Sequence, residues 1–291
     1  MTEKKKNLIV RAISGAIFVA IMVVGIAFRP IAMVFLFALI TGMTLWEYSG
    51  LVNEREDVYV NRFISTAAGV YLFLAMACFC SSITPSAIFI PYLLTIVYLF
   101  ISELYTKNQN AINDWAYTML SQMYIALPFS MVNVLAFTTG VGGGVHYQAI
   151  LPLSIFICLW VNDTGAYCSG SLFGKHKLFP RISPGKTWEG SIGGGIFVLV
   201  TTVIISYFDS SDPASPQALT LLQWLGLGLV VVLFGTWGDL VESLFKRTLG
   251  IKDSGNIMPG HGGMLDRFDS SLMAIPAAVI YLYTLSLFGA Q

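Results

Sequence analysis

The sequence returns repeatedly to apolar runs of about 17 to 25 residues, each long enough to cross a hydrocarbon core of roughly 30 Å as a helix. They lie near 12–28, 31–47, 63–82, 86–102, 117–137, 149–168, 190–208, 218–238 and 272–289. A soluble domain carries roughly 25% charged residues, whereas this chain of 291 residues is 56% hydrophobic and 11% charged. So little charge cannot clothe a soluble globule. The expected fold class is therefore all-α, a polytopic integral membrane protein of about nine transmembrane helices.

Charge sets the expected sidedness. Threading the spans alternately gathers the N-terminus and the segments around 48–62, 103–116, 169–189 and 239–271 on one face, and these hold every Lys and Arg except Arg29. By the positive-inside rule that face is cytoplasmic, and an odd number of spans puts the C-terminus outside. Lys4, Lys5 and Lys6 before the first run read as an orientation signal on a retained helix rather than as a cleaved leader. Sixteen basic and sixteen acidic residues cancel, so a nucleic-acid binder relying on a net positive field is excluded. Cys78, Cys80, Cys158 and Cys168 sit in apolar windows without zinc-ligand spacing and read as packing residues.

Two polar segments interrupt this pattern. The first, Trp160 to Gly194, places Asn162 and Asp163 inside an expected span. An ionised carboxylate there is costly unless paired, hydrated or metal-bound, so Asp163 marks either a functional cavity or a helix-to-helix hydrogen bond. Lys175, Lys177, Arg181 and Lys186 follow, with Ser183, Pro184 and Gly185 bending the chain before Thr187, Trp188 and Glu189 open the next helix. A turn leading into a helix N-terminus offers N–H groups to an anion, and Lys186 is placed to touch phosphate. The other three cations serve equally well as orientation signals or contacts to anionic lipid. The glycines at 190 and 193–195 suit close helix approach better than a phosphate cradle.

The second segment, Phe234 to Ser270, is the most polar part of the chain. Asp239, Glu242, Ser243 and Lys246 share one face of a helix. Beyond a Gly/Pro-rich hairpin, Asp266 and Asp269 lie one helical turn apart. Oxygen ligands with one nearby histidine, His261, suit Mg²⁺ held with substrate phosphates rather than zinc. Lys246, Arg247, Lys252 and Arg267 could neutralise phosphate oxygens; equally, these charges could form a solvated ion-pair network. Sequence signatures of P-loop hydrolysis, zinc proteolysis and serine acyl transfer are missing.

These residues resemble the signature of the phosphatidate cytidylyltransferase, or CDP-diacylglycerol synthase, family. Its pattern of a serine, Lys-Arg, Lys-Asp-x-small and His-Gly-Gly-x-x-Asp-Arg-x-Asp is met by Ser243, Lys246, Arg247, Lys252, Asp253, Gly255, His261, Gly262, Gly263, Asp266, Arg267 and Asp269. Asn162 to Tyr167 and Ser183 to Gly190 also look like this family, in the expected order. The resemblance is close over the C-terminal half; the first 140 residues agree only in being hydrophobic helices. It implies cytidylyl transfer from CTP to phosphatidic acid, with Mg²⁺ and commonly a homodimer, in phospholipid biosynthesis.

The resemblance points to Asp239 and Asp266 as principal metal carboxylates, with Asp163, Glu242 and Asp269 as auxiliaries and a second cation left open. Lys186 and Lys252 are the expected catalytic cations. Asn162, Asp163, Ser183, Lys186, Thr187, Lys246, Arg247, Lys252, His261 and Arg267 are the expected substrate contacts, with His261 shaping the turn or binding nucleotide. Residues 1–140 are expected to supply structural, dimer and lipid-facing helices. Residues 141–291 are expected to supply the active-site cavity, from C-terminal helices and two cytoplasmic loops, within one integrated unit of the inner membrane. Two rival classes are an ion-coupled transporter, which intramembrane Asp163 and Asp239 also suit, and a CTP-dependent isoprenoid-alcohol kinase.

Overall fold

In lipid every backbone N–H and C=O must be satisfied within the chain, and a helix does this locally. The computed structural model describes residues 3–106, 110–139, 143–211, 218–255, 257 and 262–289. Its helices are α1 (Glu3–Phe28), α2 (Pro30–Val52), α3 (Arg62–Cys80), α4 (Ile90–Ser102), α5 (Ala111–Ser121), α6 (Leu127–Ala136), α7 (Ile150–Phe173), α8 (Trp188–Ser211), α9 (Leu221–Thr248) and α10 (Leu265–Gly289). A π-turn at Gln122–Ala126 joins α5 to α6. Among the described residues eight helical stretches are long and apolar enough to span a bilayer, with Ser86–Tyr105 around α4 and Ala111–Ala136 across α5 and α6 each counted as one, and Ala12–Phe28 of α1 is a shorter apolar stretch. The expected all-α, multi-pass membrane architecture is what the chain adopts.

Side chains set the helix starts. Pro30 occupies the first turn of α2, where a missing N–H costs nothing. Asn61 caps α3 by accepting from Ile64 N at 3.1 Å. Thr220 and Gln223 form a reciprocal capping box at α9: Thr220 N donates to Gln223 Oε1 at 2.8 Å, and Gln223 N donates to Thr220 Oγ1 at 3.3 Å.

The chain divides into two compact units. One comprises Met1–Val134 with Thr248–Phe268, the other Leu135–Arg247 with Asp269–Gln291. In the first, the core is aromatic: Phe129 meets Phe268 edge-on at 5.3 Å between centroids, and Phe37 stacks on Phe73 at 6.4 Å. Beside it, buried Gln122 donates through Nε2 to Ser65 O at 3.0 Å, and the Ser65 and Ser121 hydroxyls share a 2.9 Å hydrogen bond. These contacts satisfy the Gln122 amide nitrogen and the two hydroxyls, while Gln122 Oε1 has no hydrogen-bond partner among the described residues.

In the second unit α7 and α8 are packed backbone to backbone. A Cβ added at Gly194 would lie 2.7 Å from both Asn162 oxygens, and one at Gly190 would lie 2.9 Å from Ala166 O. The glycines near 190–195 therefore serve close helix approach, as their four-residue spacing suggests. Gly238 of α9 similarly admits the α10 backbone, its hypothetical Cβ lying 2.7 Å from Asp269 O.

The polar segments differ from expectation in their boundaries. Residues 239–271, expected as an inner loop after a span ending at 238, begin as nearly three further turns of α9, through Thr248, and end in α10 from Leu265. Hydropathy marks where the membrane ends, but the backbone ladder continues until Gly250 takes a left-handed φ of 72°. Residues 169–189 likewise contain the end of α7 and an antiparallel hairpin of β3 (Lys177–Phe179) and β4 (Ser183–Thr187). The connection between α6 and α7 contains a second antiparallel pair, β1 (Phe137–Thr139) with β2 (Val145–Tyr147).

Candidate active site

Carboxylates from three helices gather in the second unit. Asp163 stands on α7, Asp239 and Glu242 on α9, and Asp269 on α10. Asp269 feels the charges of the other three electrostatically. Like charges held this close in a membrane segment require counter-charge. The chain supplies two lysines: Lys186 Nζ reaches Asp239 Oδ2 at 2.6 Å, and Lys246 Nζ reaches Glu242 Oε2 at 2.6 Å. The other Asp239 oxygen accepts from Ser243 Oγ at 3.1 Å. Glu242 is fully buried, whereas Asp239 and Lys186 are about a quarter exposed, at 28% and 25%. The accessible Lys186–Asp239 pair can exchange partners with an anionic ligand; the Lys246–Glu242 pair is more deeply buried, at 12% and 0% exposed.

The β3–β4 hairpin delivers Lys186, and Glu189 secures its base. The Glu189 carboxylate accepts from Lys175 N at 3.2 Å and His176 N at 3.1 Å and lies 2.5 Å from His176 Nδ1. Thr187 Oγ1 accepts from Gly190 N at 3.2 Å, capping α8. Thr187 is buried and acts as a cap, while Ser183 begins β4. Asn162 is buried against Gly194, and its Oδ1 has no hydrogen-bond partner among the described residues. Asp163 itself is exposed.

The signature hairpin belongs to the first unit. Asp266 opens α10, and its Oδ2 accepts from Ser254 N at 2.8 Å and Gly263 N at 2.9 Å. Glu47 of α2 reaches the same hairpin, accepting from Ser254 Oγ at 2.6 Å, Met264 N at 2.8 Å and Leu265 N at 3.0 Å. Lys252 is exposed and Arg267 half-buried. Arg247 is exposed at the end of α9. His261 lies outside the described residues. The sequence reading passed over Glu47 and gave Glu189 no role; a carboxylate inside an apolar run was the available signal for Glu47.

Among the described residues no three acidic, cysteine or histidine side chains converge as a ready-made metal-ligand set. The chemistry of the second unit nevertheless fits a hard divalent cation. Its candidate donors are carboxylate oxygens, the ligands such an ion prefers, and Asp269 lies within the electrostatic reach of Asp163, Asp239 and Glu242. The arrangement can therefore take up positive charge, present lysine to anions and hold both at the membrane.

Comparison with known proteins bears on the same segments. The model of the Cytidylyltransferase family matches residues 9–285. A protein of Staphylococcus aureus (strain COL) named phosphatidate cytidylyltransferase is 42% identical over 177 residues, 61% of this chain and 62% of that relative. A Staphylococcus haemolyticus protein of the same name is also 42% identical, over 179 residues covering 61% of this chain and 62% of its own length. The chain thus spans less than two thirds of these staphylococcal relatives. A Haemophilus influenzae protein of that name is 30% identical over 292 aligned positions, covering 91% of this chain and 95% of the relative.

Proposed function

Because the chain belongs to the cytidylyltransferase family, we propose that it transfers a cytidylyl group from CTP to phosphatidic acid, giving CDP-diacylglycerol and pyrophosphate for phospholipid synthesis. The observation that carries this reading is the family match over residues 9–285, which takes in both polar segments. A phosphatidate oxygen attacks the α-phosphorus of CTP, a new P–O bond forms, and the bond to the departing pyrophosphate breaks. Both reactants are anions, so neutralisation and alignment are the principal catalytic tasks. A phosphatidate oxygen is already ionised near neutral pH, which removes the need for a strong general base.

Lys186 is the cation we assign to the nucleotide phosphates, since its partial exposure lets it leave Asp239 for a ligand. Lys252, Arg247 and Arg267 are assigned to phosphate contact by position in the signature, and Lys246 to holding Glu242. Asp239, with Asp163, Glu242 and Asp269 as auxiliaries, would hold Mg²⁺; Asp266 is assigned the same role from the signature. When bound, the ion supplies charge stabilisation for the phosphates and the leaving group. Orientation with both polar segments and the N-terminus in the cytoplasm, an inner-membrane location and a homodimer complete the proposal.

The test is to incubate purified protein with CTP, Mg²⁺ and phosphatidic acid and identify the products. Lipid-dependent pyrophosphate release supports the proposal. CDP as product would indicate γ-phosphoryl transfer, and substrate flux in proteoliposomes without CTP consumption would indicate a transporter.

A further inference from the structure

The four backbone N–H groups from Gly263 to Asp266, at the start of α10, each have an acceptor, and two of them donate to one carboxylate from another helix. Gly263 N donates to Asp266 Oδ2, Met264 N to Glu47 Oε2, Leu265 N to Glu47 Oε1 and Asp266 N to Ser254 Oγ, at 2.9, 2.8, 3.0 and 3.3 Å. The Ser254 hydroxyl then donates its single proton to Glu47 Oε1 at 2.6 Å. A helix N-terminus leaves such N–H groups without intrahelical partners, and its dipole favours negative charge. Glu47 supplies that charge from α2, more than 200 positions away in sequence.

Two signature glycines acquire a physical reason from this contact. A Cβ at Gly263 would fall 2.5 Å from the Glu47 carboxyl carbon, and one at Gly255 would fall 2.8 Å from Glu47 Oε2. Neither position has room for a side chain while Glu47 is seated. The nearest atoms at Gly255 and Gly263 are thus those of a carboxylate belonging to the chain itself, which accounts for their small size.

We propose that Glu47 is a positioning residue for the reaction, holding the 254–266 hairpin so that Asp266 is fixed at the start of α10. The contact sets a reactive segment rather than merely an end of a helix, because Ser254 joins both carboxylates. Its hydroxyl donates to Glu47 and accepts from Asp266 N, while its own N–H donates to Asp266. Loss of Glu47 leaves Met264 N and Leu265 N without these acceptors and frees the Ser254 hydroxyl to rotate. Asp266 then loses the rigid frame that orients its second oxygen. Glu47 also lines an open groove of about 740 Å³ beside Trp46, Arg62, Ser254 and Gly255.

The proposal rests on the cytidylyltransferase reading for its kinetic arm but not for its exchange arm. Glu47→Ala and Glu47→Gln are compared with wild type by amide hydrogen exchange, thermal melting in detergent and steady-state kinetics. Faster exchange at Met264 and Leu265 is expected in Glu47→Ala, with exchange elsewhere in α2 and α10 unchanged. The value of kcat should fall about 100-fold, the scale of misplacing a reacting group by roughly 1 Å, while KM for CTP changes less than about threefold. Glu47→Gln retains one oxygen acceptor but turns N–H donors toward another donor, so its kcat should lie between the two. Gly263→Ala should reproduce the exchange and kinetic changes, and the Glu47→Ala/Gly263→Ala double variant should be no slower than the worse single variant.

Wild-type exchange at Met264 and Leu265 in Glu47→Ala would overturn the contact. Fast exchange with wild-type kcat would overturn the positioning role. Activity lost only in proportion to melted protein, with Glu47→Gln fully active at temperatures where it is folded, would reduce the contact to ordinary stability. If wild-type protein transfers no cytidylyl group, the function proposal fails while the exchange result still decides whether Glu47 holds the hairpin.

Discussion

Lys186→Ala separates a catalytic cation from an ordinary surface ion pair. The lysine lies 2.6 Å from Asp239, and the two side chains are 25% and 28% exposed. At that exposure solvent and salt screen the pair, so its loss should reduce folding stability by no more than about 1 kcal/mol. The catalytic effect is larger in this account because a fixed positive charge facing developing phosphate charge contributes roughly 2 to 4 kcal/mol, about 30-fold to 1,000-fold in rate. Truncation also leaves Asp239 facing Asp269 without this lysine. The assay is formation of labelled lipid from CTP at saturating Mg²⁺, with a melting curve on the same preparation. Lys186→Arg keeps the charge but changes its geometry and should fall between wild type and the alanine variant. A folded Lys186→Ala protein with a rate within threefold of wild type would refute the assignment, as would a rate loss matched by equal loss of folded protein.

Asp239→Asn and Asp266→Asn keep size and one oxygen acceptor but remove charge. Each should slow cytidylyl transfer by at least about 100-fold at saturating Mg²⁺, and an unchanged rate in a folded variant would remove that residue from the metal assignment. Gly194→Ala places a methyl 2.7 Å from both Asn162 oxygens, so the α7–α8 pair must spread at a cost of about 1 to 3 kcal/mol; an unaltered melting temperature would contradict the close approach. Single cysteines at exposed Ser171 and Asp253, in a background without the native cysteines, should resist an impermeant thiol reagent applied outside intact cells. Labelling of both from outside would reverse the proposed orientation.

Bilayer thickness made the fold legible. A hydrocarbon core admits few alternatives to a helix of about twenty apolar residues, and the nine runs correspond to the eight spanning helices and the apolar stretch of α1. Helix ends were less legible because hydropathy reports solvent, not hydrogen bonding. Asp239 through Thr248 is polar and still helical. In the candidate site the residue types could be read, but their partners could not. Nothing in one sequence says that Lys186 meets Asp239, since a hairpin and two helix packings intervene. Glu47 shows the opposite failure. The cost of a carboxylate within an apolar run, applied to Asp163, applied equally between Trp46 and Tyr48. Its partners at Ser254, Met264 and Leu265 became visible only when the chain folded.

The fate of the individual phosphorus atoms of CTP tests the proposed reaction most directly. CTP labelled separately at the α- and γ-phosphorus is turned over by purified protein with phosphatidic acid and Mg²⁺, and lipid and water-soluble products are separated. Cytidylyl transfer requires the α label to enter the lipid and the γ label to leave as pyrophosphate, in equal amounts. Appearance of the γ label in lipid, or loss of CTP without either label entering lipid, would contradict it.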